Sequence, residues 1–362
     1  MTTIAGARAL TPDGWTGPVE VVVEDGVIAA IRPTAASLPP LALVPGFVDL
    51  QVNGHDDIDV ATATGRDWDR LDDLLARQGV TTWCPTLVTA PLDAYAVPLG
   101  HIAGAAARSG PRPTIAGAHL EGPFLGGRPG AHPAELIRPV DAAWLERLPP
   151  VVRVVTLGPE VDGATAAIEA LAGRGLLVAL GHSSATYERS TEAIDAGARL
   201  ATHCFNAMDG LHHRAPGLVG AALCDDRIAV SLIADLAHVH PALLRLAFRA
   251  KGPGAVALVT DAVAWRSGHV GGITVASVDG VPRLADGTIA GSALTMDQAV
   301  RNTVAAAGVT LADAVTAAAT TPARLLGLDD RGRLAVGARA DVVALSEDLA
   351  VAATWVAGER VA

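Results

Sequence analysis

His182, His203 and Glu121 each stand at the end of a short apolar run of the chain. Two imidazoles and one carboxylate are the donor set with which a catalytic zinc ion keeps its fourth position open. A water bound at such an ion has its pKa lowered from about 16 to about 7, which makes hydroxide available at neutral pH. Any one of these residues alone could do no more than end a strand, whereas all three at equivalent ends point to one metal. Asp261, just past the run Ala255–Val259, is placed to carry a proton to and from that water. An isolated aspartate there would more often cap a helix, so the reading depends on its neighbours.

Residues this far apart meet only if the elements carrying them converge. Between Pro45 and about Asp330, apolar runs alternate with helical stretches, the pattern of a parallel sheet. The runs are Phe47–Val52, Thr82–Val88, Ile115–Leu120, Val152–Leu157, Leu176–Leu180, Leu200–Cys204, Ile228–Ile233 and Ala255–Val259. Eight such strands close into an α/β fold of the TIM type, a (β/α)8 barrel, which takes ~250 residues. Gln51, Thr86, Glu121, Glu160, His182, His203, Asp235 and Asp261 lie at or just past the C-terminal ends, the rim on which barrel active sites are built. Trp68, Leu71, Leu74 and Leu75 share one face of a helix that Gly79 can end, and Pro241 can open another.

The first 45 residues read instead as short strands and tight turns, with Asp25-Gly26 between Val19–Glu24 and Val27–Arg32. The last 30 look alike, with Gly332–Val336, the strand-like Asp341–Leu345 and Thr354–Val361 broken by Gly358. The expected division is a small β domain from residues 1–45 and 331–362, and a catalytic barrel over 46–330, because chain ends tend to lie close together.

Composition sets the outer limits. The net charge of −11, with 38 acidic and 27 basic residues, disfavours a nucleic-acid partner. Three cysteines without CxxC spacing suggest neither a disulfide framework nor a cysteine zinc site, so a reducing cytoplasm is expected. No window holds the ~18 unbroken apolar residues of a membrane span, and the first 17 residues lack a leader pattern.

Longer matches then run nearly end to end. They are Pro45-Gly46-Phe47-Val48-Asp49 with Gln51-Val52-Asn53-Gly54, His119-Leu120-Glu121-Gly122-Pro123-Phe124, Gly181-His182-Ser183, Thr202 to Met208, Arg214-Ala215-Pro216-Gly217, Asp235 to Val239, Val259-Thr260-Asp261-Ala262, and Gly291 to Met296. On these motifs the chain resembles the N-acetylglucosamine-6-phosphate deacetylases of the amidohydrolase superfamily. The resemblance implies a barrel with a small β-sandwich made by both termini, with Glu121, His182 and His203 as metal ligands and Asp261 as the catalytic acid and base. It also implies that His132 polarises the acetyl carbonyl and that Asn206 and Ala207 bind the sugar phosphate, partly through backbone N–H groups. His238 would contact a sugar hydroxyl, Leu294 would belong to the substrate site, and Arg214 would reach the phosphate from the other subunit of a homodimer.

The implied reaction removes acetate from N-acetyl-D-glucosamine 6-phosphate, in amino-sugar catabolism and cell-wall recycling. Alternatives are N-acetylgalactosamine 6-phosphate, an N-acyl amino acid, a cyclic amide, or a barrel that binds without catalysis. Many amidohydrolases hold two metals with a His-x-His pair and a carbamylated lysine. Here Gln51-Val52-Asn53 occupies the first-strand rim and Lys251, the sole lysine, follows a helix, so one essential ion is expected. Zn2+ is the first expectation, with Fe2+, Mn2+ or Co2+ as alternatives. His55-Asp56-Asp57 departs from the family pattern and offers polar groups to a weak second metal, while His212-His213 reads as a solvated pair.

Overall fold

A computed structural model of the chain describes all 362 residues. Eight parallel strands form its centre: β1 Phe47–Val52, β2 Val80–Leu87, β3 Ala118–Glu121, β4 Val152–Leu157, β5 Leu177–Leu180, β6 Leu200–Ala201, β7 Ala229–Ile233 and β8 Val256–Val259. Each pairs with the next in sequence order. The ring closes where Asp261 N–H donates to the Gln51 carbonyl at 3.0 Å and Val52 bridges Ala262. The fold is the expected (β/α)8 barrel.

Two of the expected runs are interrupted for identifiable reasons. Ile115–Leu120 splits into Thr114–Ile115 and Ala118–Glu121, because Gly117 between them takes a φ of +144°. A side chain there would be strained and would collide with Arg153. Leu200–Cys204 keeps ladder pairing only over its first two residues, and the chain turns left-handed at His203. Gly332–Val336 forms turns rather than a strand. Gly332 has a φ of +72°, and a β-carbon there would collide with the Ala319 carbonyl and the Ala323 side chain, so the backbone bends here instead of extending.

The helices form as their sequences dictate. Asp67–Ala76 buries Trp68, Leu71 and Leu75, carries Asp67 and Asp69 in its first turn, and is followed by Gly79 with a φ of +82°. Pro241–Lys251 has proline in its first turn and accepts a cap from the His240 side chain onto the Ala242 amide. Lys251 ends that helix and donates to the carbonyl of Asp225. No helix is long and apolar enough to cross a membrane.

The chain ends form two further sheets, one from N-terminal strands alone and one from strands of both ends. One pairs Thr2–Gly6, Val19–Glu24 and Val27–Pro33. The other runs Glu359–Arg360, Val351–Val356, Val342–Leu345, Ala42–Pro45, Arg8–Thr11 and Gly14–Trp15. Ile4, Val21, Ile28, Leu43, Val342 and Ala344 lie in an apolar cluster formed by these end segments, while Val343 and Leu345 belong to the main barrel core. Two-residue alternation in one strand therefore joins the two cores.

Asp49, in the middle of β1, is buried. Burial pushes its carboxyl up to about 7, against hydrogen bonds from the Thr260 hydroxyl at 2.6 Å and the Gln51 amide at 3.2 Å. A raised folded-state pKa means that stability is fully present below the unfolded value near 4 and is lost as pH rises through about 7. Over that window the folded chain holds the extra proton, at up to about 1.4 kcal/mol per pH unit. Asp49→Asn removes this slope. Its thermal midpoint relative to the unsubstituted protein is expected to climb between pH 5 and pH 7, and parallel profiles would contradict the assignment.

Candidate active site

The three expected ligands meet at the rim. Glu121 closes β3, His182 follows β5 and His203 follows β6. Glu121 Oε1 lies 3.1 Å from His182 Nε2 and 2.8 Å from His203 Nε2, and the two nitrogens are 3.1 Å apart. That triangle is the spacing of three donors sharing one ion at about 2.0–2.2 Å from each.

Tautomers strengthen the fit. His182 Nδ1 faces two carbonyl oxygens, Arg128 at 3.2 Å and Pro129 at 3.1 Å, so it carries the ring proton. The Nε2 lone pair then points at the Glu121 carboxylate, an arrangement that a cation stabilises. Burial alone would raise Glu121, but the imidazoles packed against it hold it well below its usual value. Burial opposes charge on His203, yet the Glu121 carboxylate lifts it above the usual imidazole range. A proton on His203 thus does part of what a metal ion would do between these groups.

His132 also approaches Glu121, at 3.8 Å from Oε2, and with Glu121 and His182 makes a looser set within 4.8 Å. Its own bonds argue against ligation. His132 Nδ1 accepts the Thr89 backbone N–H at 3.3 Å and meets the Thr89 hydroxyl, which can also donate to it, at 2.8 Å, so the proton is placed on Nε2, facing the site as a donor. Burial, first, and the neighbouring His182 push its pKa down to about 3, so the ring is neutral.

Asp261 follows β8. Its Oδ1 accepts Asn53 Nδ2 at 2.6 Å and Gln51 Nε2 at 3.1 Å, which leaves the other oxygen uncommitted. Burial and then the Glu121 charge push it up to about 7. The Gln-x-Asn pair of β1 is therefore the support of Asp261. Asp235 accepts the Ala237 and His238 amides and His238 Nδ1 at 2.7 Å, turning His238 Nε2 outward as an acceptor.

His182, His203 and Asp261 all have positive φ, of 51°, 32° and 49°. Left-handed backbone is uncommon outside glycine and gathers at functional sites. Here it swings each side chain from its strand end into the mouth.

A cavity of about 300 Å³ opens above these groups, lined among others by Asn53, Glu121, His132, His203, Asn206 and Asp261. His182, Ala207 and His238 also line it. Three of the expected residues stand elsewhere. Gln51 acts through Asp261, Leu294 is turned into the barrel core while Ala290 and Gly291 of its segment reach the cavity, and Arg214 is exposed with its guanidinium beside His213. Asp56 pairs with Arg266 at 2.8 Å and Asp57 with Arg70 at 2.6 Å, so neither carboxylate is offered to a second metal.

Two features lay outside the sequence expectations. Val88, Val263, Val270, Ile273 and Ile289 form an apolar side of the cavity. Val270 and Ile273 lie in the hairpin His269–Thr274 after β8, and Ile289 bridges Arg283 at the end of a second hairpin, Ala276–Arg283. Gly271-Gly272 and Asp279-Gly280 between short β-prone runs were the available signal. Below the metal triangle, His119 donates from Nδ1 to the Leu50 carbonyl and accepts the Thr156 hydroxyl, which in turn accepts Thr202. Burial pushes His119 down to about 4.

Residues 42–361 match the model of the amidohydrolase family, and residues 1–40 match that of the formimidoylglutamate deiminase HutF N-terminal domain. The chain is 42% identical to an N-acetylgalactosamine-6-phosphate deacetylase of Escherichia coli O157:H7, over 97% of both chains. It is 40% identical to the human N-acetylglucosamine-6-phosphate deacetylase, over 99% of this chain and 93% of that one. The structure of a mutant Mycobacterium smegmatis N-acetyl-D-glucosamine-6-phosphate deacetylase in complex with N-acetyl-D-glucosamine-6-phosphate superposes with a TM-score of 0.91 at 36% identity, covering 99% of each chain. A barrel whose rim gathers two histidines, a glutamate and a buried aspartate, in a chain matched from end to end by these enzymes, belongs to the amidohydrolase family, among the N-acetylglucosamine-6-phosphate deacetylases.

Proposed function

We propose that this protein hydrolyses N-acetyl-D-glucosamine 6-phosphate to glucosamine 6-phosphate and acetate. The observation that carries the reading is the convergence of the Glu121, His182 and His203 triangle with Asp261 and a donating His132 on one cavity. In this reading Glu121, His182 and His203 hold one divalent ion. Zn2+ suits the His2Glu set best, with Fe2+, Mn2+ or Co2+ able to replace it. When bound, the ion supplies Lewis acidity to the amide carbonyl and to the attacking water.

The chain's own groups supply the rest. Asp261, fixed on one oxygen by Asn53 and Gln51, takes the proton of the water and later gives it to the departing amine. Its raised pKa suits both halves of that cycle. His132 Nε2–H donates to the carbonyl oxygen as negative charge develops, the place where a fixed donor contributes most. Asn206 and Ala207 are assigned to the phosphate, and His238 Nε2 to a sugar hydroxyl. Leu294 is read as bracing the wall segment that precedes it.

Arg214, exposed and off its own cavity, suits a reach into the neighbouring subunit of a homodimer, where a guanidinium fork matches phosphate oxygens. All three cysteines are unpaired and Cys224 is exposed, which suits a reducing cytoplasm. The 42% identical relative that is named for N-acetylgalactosamine 6-phosphate makes that epimer the second candidate substrate.

Asp261→Asn is expected to keep the metal, measured by elemental analysis, and to lower kcat by about 10²–10⁴-fold. The ascending acid limb of the kcat pH profile, at or below pH 7, should vanish with it. Wild-type turnover in this variant would refute the role. Arg214→Ala should raise KM for the 6-phosphate by about 10–100-fold, the worth of a charge-assisted hydrogen bond, and leave the unphosphorylated sugar unaffected. Equal loss on both sugars would remove Arg214 from phosphate binding.

A further inference from the structure

Glu160 follows β4 and stands outside the cavity, yet four donors meet its carboxylate. Oε1 accepts the Gly127 amide at 2.9 Å, the Ser184 amide at 2.7 Å and, more weakly, the Ser184 hydroxyl at 3.4 Å. Oε2 accepts the Ser183 hydroxyl at 2.8 Å. One group of donors lies on the loop Gly126–His132 and the other on the two residues just after His182. Glu160 is therefore the cross-link between a loop and a ligand-bearing strand end.

The fit around it is close. A β-carbon at Gly126 would collide with the Glu160 carboxylate, and one at Gly127 with the Ser184 hydroxyl. The Gly126 amide donates to the His182 carbonyl at 2.9 Å. Two small residues thus let the loop lie directly on the strand end, with the Glu160 carboxylate between them.

What this loop delivers gives the contact its meaning. Its Arg128 and Pro129 carbonyls are the acceptors that fix the proton of His182 on Nδ1. At its far end stands His132, whose Nε2–H faces the site. We propose that Glu160 is a positioning residue, which clamps the Gly126–His132 loop onto Ser183 and Ser184 and thereby sets the tautomer and aim of His182 and the placement of His132. The proposal rests on the reading of His182 as a metal ligand. Partners that orient a ligating histidine typically carry 10–100-fold in metal affinity.

Glu160→Ala is the first test, with Glu160→Gln as its control, because an amide oxygen still accepts the Gly127 and Ser184 amides. In Glu160→Ala, affinity for Zn2+ measured by chelator competition is expected to fall about 10–100-fold, and kcat to fall with little change in KM. In the metal-free protein, backbone amides of residues 126–132 should exchange with deuterium faster, while those of Val342–Leu345 stay unchanged. Glu160→Gln should stay within about threefold of wild type in every readout. Wild-type metal affinity and loop exchange in Glu160→Ala would overturn the proposal, as would equal damage in Glu160→Gln.

Should Glu160→Ala fail to fold, Gly127→Ala separates the same surfaces from the loop side and must reproduce the loss of affinity. Its retention of wild-type affinity would also overturn the proposal. His182→Ala keeps the two readings apart. If it binds Zn2+ as tightly as wild type, the ligand assignment fails, whereas its loss beside an unaffected Glu160→Ala refutes the clamp alone.

Discussion

Three electron-pair donors held about 3 Å apart in a buried place repel one another unless something positive sits among them. That single electrostatic demand organises the mouth of this barrel. Glu121 cannot leave, because it ends a strand in the middle of the sheet, and His182 cannot reverse, because its other nitrogen faces two carbonyls. The charge must come from outside the chain or from a proton on His203. The protein has thus spent rigidity to build a place that is uncomfortable without a cation, which is what makes a metal centre selective for being filled.

Rigidity of this sort needs backbone as well as side chains. Left-handed turns at His182, His203 and Asp261 end three strands in the same unusual way, so each functional side chain leaves the barrel wall at a bend rather than from the regular pleat. Beneath them the barrel interior carries polar groups: His119, Thr156 and Thr202 form one chain of hydrogen bonds, and Asp49 and Thr260 another. The His119 chain is satisfied within the fold, whereas Asp49 is buried at a cost that its raised pKa records, and the layer forms a floor beneath Glu121, His182 and His203.

Much of this was legible in the residues. Eight apolar runs with polar terminators gave the barrel, because parallel strands are buried on both faces and a polar residue at their end has to face the mouth. That Glu121, His182, His203 and Asp261 would gather at one mouth followed from their positions at those ends. Gln51 was legible only as a rim residue, since its bond to Asp261 spans 210 positions and leaves no local trace. Leu294 was named from a motif, but which way a residue of that motif points depends on packing against helices that the motif does not encode. The hairpins after β8 went unread because their runs are only two or three residues long, too short for alternation to register. Glu160 stood on the rim like the others, and only coordinates separate a carboxylate that faces the cavity from one that faces a loop.

The strand Val342–Leu345 lies against Ala42–Pro45, 300 positions earlier in the chain. On a ribosome adding about 5–20 residues per second, the earlier strand waits some ~15–60 s for its neighbour. Throughout that interval Leu43, and the barrel face that Val343 will cover, remain open to whatever else the cell offers. The seam that covers them is the same one that joins the two cores, so completion of the fold waits on a single strand.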